Sequence, residues 1–453
     1  MKLVTPPLIV KENDSFKNDV LDRKDYGKAL CNIIDQTNEE LVISIDGKWG
    51  EGKTTFVKMW QGMLTEANIP NIYIDAFAID YVDDAFISIV SKITEYADTN
   101  IIKECREKIN EFTEKAVKVG GELLSWSVKM GVKAATLGII KSSDLNELGE
   151  IKNDLAKDTS GLVSDFISER IKEHSKNVEI IQSFKILLSE IPLKLENSKG
   201  KPIVIIIDEL DRCKPVFAVE ILEKVKHLFS VKNIVFVLVM NMEQLEESIK
   251  CVYGQNIDAH TYLQKFINIE TSIPKRINDK YNNDLDKYSK QLIKLHEFEN
   301  VADIGTIYNC IYVFAIHFNL SLRQLEKVFT NLAFFYSATN ENSLRIPPII
   351  AFLSVIKVIK PKIFDKLYYK KITYEEVNNE LKITTLENNQ EMADKTNFVL
   401  NWLRFTLYTD EELNISKDSE DLKNYYIAFS RYSIDRREII PYCAKILKMM
   451  TTN

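Results

Sequence analysis

One short segment constrains this chain more than any other. Leu41-Val42-Ile43-Ser44-Ile45 reads as a buried strand, and Gly47-Lys48-Trp49-Gly50-Glu51-Gly52-Lys53-Thr54 follows it at once. The second run satisfies G-x-x-x-x-G-K-[ST] without a mismatch, and helical spacing resumes over Thr54 to Ala67. Glycines 47, 50 and 52 allow a backbone that wraps closely around an anion. The loop N–H groups and the start of the next helix then face phosphate. Lys53 supplies a point charge for the terminal phosphates, and the Thr54 hydroxyl is a Mg²⁺ ligand. Trp49 admits two readings, packing beneath the loop or standing beside the bound nucleotide.

A second acidic segment completes the pattern. Ile203 to Ile207 runs into Asp208-Glu209-Leu210-Asp211-Arg212. Carboxylates at the C-terminal end of a parallel strand face the crevice where such sheets bind ligands. The sequence therefore assigns Mg²⁺ to Asp208 and activation of the attacking water to Glu209. Adjacent acids at this point mark the additional-strand type of P-loop NTPase. Asp211 and Arg212 either cap the next helix, pair with each other, or take part in catalysis or a subunit contact. One strand later, Asn241 ends the run Asn233–Met240; it either senses the γ-phosphate or caps the following helix.

The rest of the pattern is α/β with long helical stretches. Asn18 to Ile34 has helical spacing, Asn71 to Phe77 reads as a second strand, and Phe266 to Ile273 as a weak last one. The expected fold is a P-loop core with a parallel sheet, interrupted by a large helical insertion and followed by a helical C-terminal domain. The corresponding segments are 1–80 and 201–274 for the core, 81–200 for the insertion and 275–453 for a helical lid and C-terminal domain.

Composition excludes several alternatives. The net charge is −7, so the chain is no general phosphate-backbone binder. The Lys357 to Lys371 stretch and Arg436-Arg437 read as solvated charged faces or nucleic-acid contacts. No two of the six cysteines stand at CxxC spacing, and the five histidines do not cluster as metal ligands. The expected compartment is reducing and cytoplasmic. Val117 to Ile140 is the most apolar long segment, but Glu122, Lys129 and Lys133 interrupt it. Each charge at mid-bilayer costs about 2.5–3.5 kcal/mol. It is expected to be buried or to lie on a membrane surface at 117–140.

Together these residues resemble the KAP family of P-loop NTPases. Asp19-Val20-Leu21-Asp22-Arg23 with Tyr26 and Ala29 resembles its leading helix. Gly47 to Thr55 resembles its G-x-W-G-x-G-K-T-[ST] loop, which adds Glu51 and Thr55 to the nucleotide-binding set. Ile205 to Cys213 resembles its D-E-L-D-R-C segment, making Asp211 and Arg212 signature residues. Tyr262 to Ile267, ending at Pro274, resembles its Y-L-x-K-[IF]-[IV] segment. The family often has aspartate where Asn241 stands, and an N-x-W-like element where this chain has Asp75-Ala76-Phe77. The resemblance implies ATP with Mg²⁺ as ligands, a homo-oligomer or operon-encoded protein partners, and, for bacterial members, phage exclusion. Arg323, opening a helix after Asn319-Leu320-Ser321-Leu322, resembles the arginine by which related ATPases close a helical lid on the γ-phosphate; as a bare sequence feature it is also a solvated surface arginine.

Overall fold

The computed structural model describes residues 1–453 except 8–9, 11–14, 82–83, 135–177, 197, 199, 277–282, 341, 384–389, 416–421, 423–424, 426–433 and 450–453, and except the side chains of 104 and 122–134. Five strands form one parallel sheet: β1 (Leu41–Asp46), β2 (Asn71–Asp75), β3 (Ile203–Asp208), β4 (Ile234–Met240) and β5 (Ile269–Ser272), in the order β2-β3-β4-β1-β5. β4 stands between the strand that precedes the glycine loop and the strand that ends in Asp208. That insertion is the additional strand the paired acids imply.

Period-two alternation divides the strand residues between two cores. Ile203, Ile205, Ile207, Phe236 and Leu238 face one side. There they meet α4 (Ala85–Asn100), α5 (Arg106–Ala134), residues 178–190, α6 (Pro215–Lys224) and α7 (Met242–Tyr253). Phe184 stacks on Phe112 at 5.2 Å, and Phe86 and Phe184 both pack on Phe229 at 5.5 and 5.9 Å; Phe229 in turn meets Phe236 of β4 at 6.2 Å, which ties the insertion's described helices to the sheet. Val204, Ile206, Val235, Val237, Ile43 and Ile45 face the other side and meet α1 (Lys24–Asp35) and α2 (Lys53–Glu66). The Trp60 indole there donates to the Gly27 carbonyl at 3.1 Å. β3 and β4 are buried along their whole length, as near-continuous apolar runs require, whereas β2 and β5 are partly exposed edges.

Three boundaries differ from the sequence expectation. The last strand is the shorter Ile269–Ser272 rather than Phe266 to Ile273. The first helix starts at Lys24 rather than Asn18, because Asp22 takes a positive φ of 49° and the Asp19 carboxylate accepts from Lys24 N at 2.9 Å. The second strand stops at Asp75, whose carboxylate accepts from Ala78 N and starts a short helix, α3 (Ala76–Ile79).

Beyond β5 a third core is built from helices alone, between Leu285 and Leu447. Its first members are α8 (Asp284–Leu295), α9 (Ile304–His317), α10 (Leu322–Ala338) and α11 (Pro347–Ile359). The very apolar run at Ile346 to Ile356 is the centre of this core. Among the described residues no helix is long and apolar enough to cross a membrane. Of the segment 117–140, residues through Ala134 lie in α5, and 135–140 fall outside the described residues.

Candidate nucleotide site

Parallel register brings the ends of β1, β3 and β4 to one edge. Asp46 pairs with Met240, and Asp208 with Val239. The glycine loop therefore leaves β1 beside the acidic end of β3. Gly47 N is anchored to the Met240 carbonyl at 3.2 Å. Gly50 and Gly52 have φ of 82° and 79°, which a side chain would strain. The loop then enters α2 at Lys53.

Lys53 is buried, and its ammonium donates to the Gly47 carbonyl and to Lys48 O at 3.4 Å. Burial pushes its pKa down, opposed by Asp211, Asp208 and Asp46. Across a cavity of about 80 Å³ stands Asp208, fully buried. Burial pushes its carboxyl pKa up, opposed by hydrogen bonds from Thr54, Glu209 N at 2.8 Å and Tyr73 Oη at 3.1 Å. A hydroxyl and a carboxylate within hydrogen-bond reach, facing a phosphate loop, fit a Mg²⁺ ion that takes one or two protein ligands and completes its shell with phosphate and water. Among the described residues no cluster of three or more His, Cys, Asp or Glu side chains offers an all-protein metal site.

Glu209 takes a left-handed backbone, φ 60°, and its carboxylate meets Arg212 Nη1 at 2.8 Å. Burial raises its pKa, opposed by Arg212. Trp49 is half exposed and lines the cavity rather than packing beneath the loop; its indole donates to the buried Asp211. Lys48, Thr55 and Arg323 also line the cavity. Of its cations, Lys48 lies 3.8 Å from Glu243, Lys53 is bound to loop carbonyls and Arg212 to Glu209. The Arg323 guanidinium has no hydrogen-bond or ion-pair partner among the described residues, while its backbone N donates to Gly50 O at 3.1 Å.

Asn241 is buried at the end of β4, between β1 and β3, and does not line the cavity. Its side chain does not cap α7 either; the Asp46 carboxylate accepts from Met242 N at 2.8 Å instead. Glu51 points away from the phosphate side. Its carboxylate accepts from Lys275 at 2.7 Å and from Lys48 N at 3.2 Å, and its carbonyl accepts from Arg23 at 2.9 Å.

The sequence did not single out Tyr73, Lys275 or the role of Arg23 at this site. It also missed a larger cavity of about 630 Å³, which begins at Gly50, Gly52 and Thr55 and continues between Thr5, Val20, Phe56, Tyr288 and Glu326. Buried Arg23 lines it, with an Nε that lacks a hydrogen-bond partner.

Strand order, glycine loop and paired acids define a P-loop NTPase of the additional-strand type. The description of the KAP family P-loop domain matches residues 23–339, and the chain belongs to that family. Among curated proteins, an uncharacterized Methanocaldococcus jannaschii protein is 28% identical over 141 residues, covering 29% of this chain and 67% of its own length. Solved structures similar to this chain include the Aeropyrum pernix ORC2 protein (12% identity, TM-score 0.35, covering 94% of each chain). Cdc6p from Pyrobaculum aerophilum is also similar (12% identity, TM-score 0.40, covering 98% of this chain and 97% of its own). At these scores the likenesses are too loose to transfer any function.

Proposed function

We propose that the protein is a Mg²⁺-dependent ATPase whose nucleotide state moves its C-terminal helices against the sheet domain. The observation that carries this reading is the meeting of Lys53 and Thr54 with Asp208 and Glu209 around one cavity, although 155 positions separate Lys53 from Asp208. The adjoining larger cavity has room for base and sugar. Lys53 and the loop N–H groups bind the β- and γ-phosphates, and Thr54 and Asp208 hold the metal, which neutralises charge developing on the phosphates. Glu209 accepts a proton as water attacks the γ-phosphorus; the bond to the β–γ bridging oxygen breaks, releasing ADP and phosphate. Arg323 draws the C-terminal helices onto the γ-phosphate.

The test is phosphate release. Wild-type protein turns over ATP, Glu209→Gln binds it without turnover, and Lys53→Ala loses affinity. Full affinity in Lys53→Ala would remove the site. Competition by GTP measures the preference for adenine. The contact between Glu209 and Arg212 favours a second reading, a nucleotide-gated scaffold with slow turnover; nucleotide-dependent assembly at undetectable phosphate release would select it. From the family resemblance we also propose a role in bacterial anti-phage defence, with a second copy or operon-encoded proteins as partners. Unchanged plating of a broad phage panel on a deletion strain would remove that role.

A further inference from the structure

The glycine loop and the start of α10 are joined twice. One joint is the backbone bond from Arg323 N to Gly50 O at 3.1 Å. The approach is close: a Cβ added at Gly50 would lie 2.7 Å from Arg323 Cβ and 2.9 Å from Ser321 Oγ. The other joint is a relay of side chains. Lys275 Nζ lies 2.7 Å from Glu51 Oε1 and 2.9 Å from Asn319 Oδ1, so one ammonium bridges the phosphate loop and the turn that leads into α10.

Each end of this relay is fixed. The Glu51 side chain is only 10% exposed and is also held by Lys48 N. Lys275 follows β5 closely, and Ile273 N is tied to the Asp46 carbonyl at 2.8 Å, so its backbone is registered on β1. Asn319 takes a left-handed φ of 47°, turning the chain out of α9. Ser321 then starts α10 with a capping box to Gln324, and Arg323 follows in the first turn. The Arg323 guanidinium has no partner of its own among the described residues, so its aim depends on where this helix start is held.

We propose that Lys275 is the positioning residue of Arg323: by bridging Glu51 and Asn319 it sets the arginine against the terminal phosphate of the bound nucleotide. This rests on the reading of Arg323 as a γ-phosphate contact. Lys275 itself touches no part of the cavity that holds phosphate. Its removal changes how a triphosphate is told from a diphosphate, because only the triphosphate meets Arg323, and leaves the diphosphate contacts of the loop in place.

The experiment compares the affinity of a non-hydrolysable ATP analogue with that of ADP by calorimetry on the full chain. The wild type prefers the triphosphate. Arg323→Ala and Lys275→Ala each lower that preference about tenfold, the double variant lowers it no further, and Lys275→Arg restores it to within about twofold. Asn319→Gly keeps the turn's backbone, severs only the lid side of the bridge and gives the same loss; it also guards against a Lys275→Ala protein that fails to fold. Multiplying losses in the double variant, an unchanged preference in Lys275→Ala, or an equal loss of ADP affinity would each overturn the proposal. Failure of the ATPase reading shows separately, as a wild type that binds nucleotide but releases no phosphate.

Discussion

Arg212 Nη1 stands 2.8 Å from Glu209 Oε1, so the carboxylate proposed as general base is already engaged by a cation from its own segment. Arg212 is about a third exposed and Glu209 about a sixth, and both line the cavity wall. Arg212 comes from the short turn Leu210–Arg212, whose first residue follows the left-handed Glu209. The same four residues thus set the backbone angle of the base and its partner. Glu209→Gln is expected to cut turnover by about 10²–10⁴ with nucleotide affinity kept, because an amide cannot take the proton of water. Single-turnover phosphate release measures the loss, and equal rates would remove Glu209 from the chemistry.

Gly50→Ala is expected to act on both binding and stability. At φ 82° a Cβ is strained, and the new methyl would also meet Arg323 Cβ and Ser321 Oγ at under 3 Å. A left-handed non-glycine residue costs about 1–3 kcal/mol, and the contact adds to it. Denaturant titration should show the loss of stability, and calorimetry a fall in nucleotide affinity of tenfold or more. Gly121→Ala, in mid-helix with nothing near its added Cβ, is the control: it should leave nucleotide affinity unchanged and raise stability by about 1 kcal/mol.

His296 makes stability depend on pH. It is buried at the end of α8, where its Nδ1 donates to the Lys2 carbonyl at 2.7 Å and its Nε2 accepts from Thr5 Oγ1 at 3.0 Å. Burial pushes its pKa below the ordinary 6.5, opposed by the Lys2 carbonyl and Glu326. As pH falls below about 6.5 the unfolded chain takes up a proton that the folded chain refuses. Stability is therefore full above that value and is lost as pH falls toward the folded pKa, by at most about 1.4 kcal/mol per pH unit for one proton. Urea unfolding at several pH values between 7.5 and 5.5 measures the slope (a range of roughly one unit either side of the histidine value). His296→Gln should flatten it, and an identical slope in that variant would assign the pH dependence elsewhere.

Which parts of this arrangement could be read in advance follows from how each contact is written in the chain. Lys53, Thr54, Asp208 and Glu209 belong to two contiguous runs whose apolar strands announce where they end, so both the residues and their meeting point were legible. Strand order was legible too, because paired acids on β3 imply the intervening β4. Tyr73 was not: one hydroxyl on an edge strand reaches Asp208 across strands, and no local pattern marks it. Lys275 and Asn319 are equally silent, since their partners lie 224 and 44 positions away and each residue alone is an ordinary surface type. Asn241 was placed correctly at a strand end, but its side chain makes no cap: its backbone carbonyl accepts from Gln244 N and Leu245 N, and Met242 N goes to Asp46 of the neighbouring strand. Such competition between strands is invisible until the sheet is assembled.

Trp49 offers the last test, because its indole is the one donor given to the Asp211 carboxylate among the described residues. Asp211 is buried, so losing that donor leaves a desolvated acid, whereas losing both groups does not. Trp49→Phe is expected to cost about 1.5–3 kcal/mol, and Asp211→Leu added to it should recover most of the loss. Near-zero coupling in this double-mutant cycle would make the contact incidental. Because the half-exposed ring lines the phosphate cavity while Trp60 is fully buried beside α1, nucleotide should change Trp49 emission and leave Trp60 emission unchanged. In Trp49→Phe the nucleotide-dependent fluorescence change should vanish even though calorimetry still detects binding. A change that persists in that variant would place the responding indole elsewhere and separate Trp49 from the site.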